Sequence, residues 1–190
     1  SNTAVGDTCL IANTTGTSNT AVGRSALLAN TTGGSNVAVG GTALDANTTA
    51  SFNTAVGTAS LSVNTTGDNN TAVGRNSLAT NTTGDSNTAV GVEALQLVTS
   101  GRKNVAVGHF AGDEITDGTQ NVAIGYNAAS NLTTGDFNVV IGSLARPSSA
   151  NGEFCSVIGY NVSGANNYTT LGKSTSDIRA LHGTATWATV

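Results

Sequence analysis

Along this chain small apolar, β-branched and polar positions recur in one fixed order. The opening stretch SNTAVGDTCLIANTTG is followed at once by SNTAVGRSALLANTTG. The glycine of the AVG-like tripeptide serves as position zero of each repeat. It falls at Gly6, Gly23, Gly40, Gly57, Gly74, Gly91, Gly108, Gly125, Gly142 and Gly159, each 17 residues from the last, and Gly172 follows after only 13. A second glycine keeps the same beat from Gly16 to Gly152, with Ala50 as the one substitution. Loops tolerate insertions, whereas stacked rungs do not, so an unbroken period of this length predicts a solenoid whose repeats pack only on their neighbours.

Within the repeat, position −1 is β-branched throughout: Val5, Val22, Val39, Val56, Val73, Val90, Val107, Ile124, Ile141 and Ile158. Position −2 is Ala4, Ala21, Ala38, Ala55, Ala72, Ala89, Ala106 and Ala123, then Val140 and Val157. β-branched residues favour extended backbone, and successive side chains in a strand point to opposite faces. The pattern therefore predicts a strand that is apolar on both sides. The expectation is that the Val/Ile column fills the core of the chain's own coil. The alanine column then faces a neighbouring copy, since a row of small apolar residues would otherwise be an exposed adhesive strip.

The other half of each repeat is small at +3, from Cys9 and Ala26 to Ala145 and Val162, and Leu at +4 in Leu10, Leu27, Leu44, Leu61, Leu78 and Leu95. Position +4 then becomes Gly112, Ala129, Arg146 and Ser163, so the shaft changes character near residue 108. A helix does not fit within the repeat beside a strand and two turns, so a second short strand is expected here. In NTTG the glycine suits a chain reversal, with Asn and Thr bonding local backbone. Asn recurs at −4 from Asn2 to Asn138, a spacing that suits an amide ladder up the shaft. The N-x-[ST] matches at Asn13, Asn30, Asn47, Asn64 and Asn81 are the turn of the repeat rather than glycosylation signals. The predicted fold class is all-β, a flattened parallel β-roll solenoid of ten 17-residue rungs over residues 1–165, with a distinct C-terminal β segment at 166–190.

Composition sharpens this picture. Charged residues make up 9% and aromatics 4% of 190 residues, yet hydrophobic residues reach 38% in strict register, which opposes disorder. The absence of Met points to a fragment or processed piece. A net charge of −4 without a basic stripe argues against a nucleic-acid partner, and no apolar stretch is long enough for a membrane span. Cys9 and Cys155 lie nine rungs apart, about 40 Å at roughly 4.8 Å per rung, which excludes a disulfide between them within one chain. They read as incidental small packing residues, or else as contacts between the same cysteine on neighbouring chains.

NVAIG at 121–125 and its relatives resemble the head repeats of trimeric autotransporter adhesins, which are left-handed parallel β-rolls assembled as trimers. The fuller NTAVGxxAL…NTTG pattern is similar to repeats of phage tail fibres and related bacterial adhesive trimers, although 17 residues is longer than the common adhesin-head rung. Residues 166–190 resemble the segment preceding the endosialidase-type intramolecular chaperone of such fibres, which cuts itself off before a Ser-Asp dipeptide; this chain stops at Val190 without that Ser. The resemblance implies a homotrimer, a transient C-terminal chaperone in the precursor, and a place on a virion tail fibre or at the cell surface.

Candidate chemistry is sparse. No GxSxG, P-loop or HExxH occurs, and His109 and His182 lack metal spacing, so no catalytic residue, metal or cofactor is expected. Asp113, Glu114 and Asp117 could gather a cation, but the calcium-binding repeat pattern is missing. Asp68, Asp85 and Arg102 share one slot and read as a surface charge ladder. The Thr column from Thr14 to Thr133 raises an ice-binding role, although the flat TxT face is absent. A receptor or glycan surface is the stronger expectation, carried by His109, Tyr126 and Tyr160 at +1, Phe137 and Phe154 at −5, and Trp187, because exposed rings can stack on sugars. The same rings could instead plug the roll or pack on neighbouring chains. The expected function is attachment by a non-enzymatic fibre, with a purely structural spacer as the alternative.

Overall fold

A computed structural model describes residues 1–174 and 176–182. The chain is an all-β parallel solenoid of about ten turns with 17-residue rungs and no helix among the described residues. Trp187 lies outside the described residues.

Each rung contributes one short strand. β1 to β9 are Thr3–Val5, Thr20–Val22, Val37–Val39, Thr54–Val56, Thr71–Val73, Thr88–Val90, Val105–Val107, Val122–Ile124 and Val139–Ile141. β10 (Arg146–Pro147) and β12 (Ser163–Gly164) form a small parallel pair on the other wall. β11 (Ser156–Tyr160), β13 (Tyr168–Lys173) and β14 (Ser176–Leu181) complete a twelve-stranded sheet in the order β1 to β9, β11, β13, β14. The parallel pairs align like with like, Ala55 on Ala72 and Val56 on Val73. β13 joins in the same register, Gly172 on Gly159, despite its shortened repeat. β14 then runs antiparallel to it.

Position zero shows why the repeat cannot drift. Gly57 has φ +134°, and a Cβ built there would lie 2.6 Å from the Gly74 carbonyl oxygen of the next rung. Only glycine permits both the backbone angle and the close stacking.

The opposite wall differs from the second strand expected from the sequence. Residues +1 to +6 form consecutive turns, with left-handed backbone at +2 and +4, as in Ser25 (φ 59°) and Leu27 (φ 51°). Alternating handedness sends successive N–H groups to different rungs: Ser25 donates to Asp7 O below (2.9 Å) and Leu27 to Ala43 O above (3.0 Å). The conformation costs roughly 1 kcal/mol per non-glycine residue. It is held because it aims Leu27 inward, where its side chain is fully buried.

The largest difference concerns which side of the strand is inside. Ala21, Ala38, Ala55, Ala72, Ala89, Ala106 and Ala123 form the core with the +4 leucines, and Val140 and Val157 continue that column. Ala4 shares the register in the first rung but is exposed there. The Val/Ile column expected as core points outward: Val5, Val39, Val56, Val73, Val90, Val107, Ile124 and Ile158 are exposed, and Val22 and Ile141 half-buried. The reason is the thinness of the roll. A Cβ on Gly112 would lie 3.6 Å from Ala123 Cβ across the interior, so strand and turn wall leave room for one large side chain, not two. Leucine at +4 therefore demands alanine at −2. Where +4 shrinks to Ala129, the facing position grows to Val140.

The same compensation links +4 to +7. Early rungs pair Leu with Asn at +7, whereas Gly112 and Ala129 are accompanied by Ile115 and Leu132, both fully buried. The change of character near residue 108 is thus a repacking of a constant volume. The +7 amides form a buried ladder: Asn47 Nδ2 donates to Asn30 Oδ1 (2.8 Å), and Asn81 Nδ2 to Asn64 Oδ1 (2.8 Å). Val98 follows in the next rung, and Asn81 Oδ1 is left without a partner. Asn30, Asn47, Asn64 and Asn81 are fully buried, as a structural rather than glycosylated turn requires. The −4 amides behave differently. Asn53 Oδ1 accepts the Asn70 backbone N–H (2.9 Å) while Nδ2 donates to the Gly67 carbonyl (2.9 Å), so this ladder is mainly side chain to backbone.

Candidate functional site

Buried positions at −4 and −2 fix the parity of the sheet. Positions −3 and −1 share its outward side; +1, in the turn that follows, and −5, in left-handed backbone ahead of the strand, flank it at its two ends. The Val/Ile ridge runs up the middle, typically 36–41% exposed in rungs with neighbours above and below, as at Val39 and Ile158. The candidate receptor residues within the described chain lie at these two flanks.

At the +1 margin His109 stacks on Phe110 (centroids 3.9 Å, 23°) and meets Tyr126 edge-on (5.8 Å, 63°). Tyr160 stands two rungs beyond Tyr126, with Ser143 between, and Lys173 Nζ lies 6.0 Å from its ring centre. That separation is at the limit of a cation–π contact. At the opposite margin Phe137 and Phe154 stack in parallel (5.0 Å, 4°), both about half exposed and in left-handed backbone. Bulky residues seldom adopt that conformation, and serine occupies the slot in several earlier rungs, as at Ser35 and Ser86. The two aromatic groups lie at opposite margins rather than in one cluster.

Two aromatics within the 17-residue rungs went unnoticed in the sequence. Phe110 is the one aromatic at +2, and Phe52, 63% exposed with φ 60°, is the one at −5 outside the final rungs. Their slots in the repeat were the available signal.

The acidic residues do not gather. Asp117 accepts hydrogen bonds from the Ser100 (2.7 Å) and Thr99 (2.8 Å) hydroxyls, which hold its carboxyl below the usual aspartate range. Asp113 is pushed the other way, up, chiefly by burial, with its own backbone hydrogen bond opposing and the Glu114 charge adding to the rise, and its Oδ1 has no partner. Burial likewise raises Asp45. Among the described residues no group of three or more His, Cys, Asp or Glu could hold a metal, and no pocket is found. The Asp68–Asp85 column does more than carry charge. Asp68 Oδ1 caps the Ser51 N–H (2.7 Å) and Asp85 Oδ1 the Asp68 N–H (2.9 Å), replacing a main-chain rung bond. Arg102 Nε lies 3.8 Å from Asp85 Oδ2.

The Thr column is also committed internally. Thr14, Thr31, Thr65 and Thr82 hydroxyls donate to carbonyls of the next rung at 2.9–3.0 Å. Cys155 is buried, its thiol pushed up to about 11 by desolvation, while Cys9 is half-buried in the first rung. No helix among the described residues is long and apolar enough to cross a membrane.

No family model, curated protein or solved structure matches this chain.

Proposed function

We propose that this chain is a rigid, non-enzymatic shaft of an attachment fibre, assembled from parallel copies through the outward Val/Ile face. The observation that supports the reading is that ridge: ten β-branched residues in unbroken register, most left partly open to solvent in a single chain. An apolar strip of this length invites a partner of equal length and pitch, and another copy of the chain has both. The count of three follows from the likeness of the repeats to trimeric adhesin heads. The alanine face plays no part in assembly, because it is spent on the interior. The fibre belongs on a virion tail or at a cell surface.

Recognition of a cell-surface receptor or glycan is placed toward the C-terminal rungs, where exposed side chains become aromatic. Many weak contacts, multiplied by parallel copies, give such a surface its avidity. Whole-cell and glycan binding by the assembled protein, compared with Tyr160→Ala and Phe154→Ala, tests this part. Loss of binding without loss of assembly supports it; unchanged binding removes the aromatic surface from consideration. A purely structural spacer is the second reading. It is favoured by the position of the rings at the two flanks of the ridge, where neighbouring copies can cover them.

A further inference from the structure

The slot before the second glycine holds threonine in most rungs, from Thr15 to Thr134. In the rung that opens at Gly142 it holds Asn151, the one asparagine of the sequence that glycine follows. The amides of the two ladders are tied at both ends. Asn138, for example, accepts the Cys155 backbone N–H on Oδ1 (2.9 Å) and donates from Nδ2 to the Gly152 carbonyl (2.6 Å). Asn151 belongs to neither ladder. It stands exposed in a turn, where Ser149 Oγ donates a hydrogen bond to its side-chain Oδ1. The Gly152 N–H donates to Ser149 O (3.1 Å) and closes the turn around that amide. Gly152 has no Cβ, so its nitrogen is open to approach from the side chain just before it.

We infer that Asn151–Gly152 is a self-modifying junction, at which the chain converts its own asparagine through a cyclic imide, assisted by the Ser149 hydroxyl. Hydroxide first removes the Gly152 amide proton, which must leave its bond to Ser149 O. The freed nitrogen attacks Asn151 Cγ; the N–Cγ bond forms and negative charge develops on Oδ1. Ser149 Oγ already donates to that oxygen, so it acts as a one-donor oxyanion hole. The Cγ–Nδ2 bond then breaks, and Nδ2 leaves as ammonia with a proton from water. Water opens the five-membered ring on either side. Opening at Cγ leaves an aspartate in the ordinary main chain, and opening at the main-chain carbonyl leaves an isoaspartate. The second product lengthens the main chain immediately before Gly152, whose carbonyl receives Asn138 Nδ2, so the −4 ladder loses its final amide bond. Asp117–Gly118 fills the same slot and supplies the contrast. Ser100 and Thr99 bond its carboxyl as an anion, and an anionic carboxylate resists attack by nitrogen.

The test incubates the full chain at mildly alkaline pH beside two variants, Asn151→Thr, which restores the usual residue of the slot, and Ser149→Ala. Circular dichroism checks that both fold as the parent does. Peptide mapping by mass spectrometry follows the exchange of amide for acid, and enzymatic methylation of isoaspartate counts the rearranged product. Conversion is expected at residue 151 alone, faster as hydroxide rises, absent from Asn151→Thr and severalfold slower in Ser149→Ala. In denaturant, where the turn is lost, the parent and Ser149→Ala should react at one rate. A folded parent whose Asn151 stays intact while the denatured chain is converted overturns the site. So does modification spread equally over the exposed Asn69, Asn161 and Asn167. Equal rates for the folded parent and folded Ser149→Ala overturn the part given to the hydroxyl. A difference between them that persists in denaturant overturns it too, because local sequence and not the folded turn would then set the rate.

Discussion

Gly112 and Ile115 offer a direct test of the constant-volume core. In the rung that opens at Gly108 the usual +4 leucine is missing and Ile115 occupies the space; a Cβ on Gly112 would meet Ile115 Cδ1 and Leu95 Cδ2, each at 3.0 Å. Gly112→Leu alone forces a leucine into filled volume, costing ~1–3 kcal/mol in overpacking. A further ~1–2 kcal/mol arises because residue 112 has φ 60°, which glycine adopts freely and leucine does not. Ile115→Val alone removes one methyl group and costs ~0.5–1.5 kcal/mol. Together they recreate the Leu95/Val98 pairing of the preceding rung, in which both side chains are fully buried. The double variant should then lose only the backbone cost, ~1–2 kcal/mol, and be more stable than Gly112→Leu alone. The coupling between the two sites is expected to be at least ~1 kcal/mol. Guanidinium midpoints of all four proteins, at one fixed concentration, measure it. Additive losses, with the double variant weakest of all, would refute the claim that +4 and +7 share one volume.

Further outcomes follow from the same geometry. Val73→Asp places a charge on the outward ridge; it should cost an isolated chain only ~1 kcal/mol, through lost strand propensity and packing on Val56 and Val90, yet abolish assembly by sedimentation. Asn64→Ala breaks a buried ladder in which Asn64 Nδ2 donates to Asn47 Oδ1 (3.2 Å) and Gly67 O (3.0 Å) and Oδ1 accepts from Asn81 (2.8 Å). It should lower denaturant stability by ~1–3 kcal/mol, whereas the exposed Thr66→Ala should change little. Burial raises the folded pKa of Asp113, so its contribution is greatest below the ordinary aspartate range and falls as pH rises through the raised value. Asp113→Asn should therefore melt above the parent at about pH 7, with the difference narrowing toward about pH 4.

The sequence announced the solenoid and its rung length because stacking forbids insertions, and the Gly57 column shows the steric cause. It misled on which way the strand faces. Val is more hydrophobic than Ala, and hydrophobicity alone places Val inside; the width of the interior reverses that order. The corrective signal was present in the chain, since Ala at −2 gives way to Val140 only where Leu at +4 has given way to Ala129. The turn wall was harder to read. Left-handed backbone at Leu27 or Leu44 has no signature in residue type, because burial of leucine outweighs its backbone preference. Repeat slots grouped His109, Tyr126 and Tyr160 in one column and Phe137 and Phe154 in another, and the single chain leaves all five exposed. They did not reveal that the rings occupy opposite margins, which follows only once −4 and −2 are known to point inward.

Sedimentation equilibrium of the intact chain at micromolar concentration bears most directly on the outward ridge. A folded species of three times the chain mass, reduced to a single folded chain by Val73→Asp, is the predicted result. A parent protein that is monomeric and stably folded, its Val/Ile column left in water, would contradict the account.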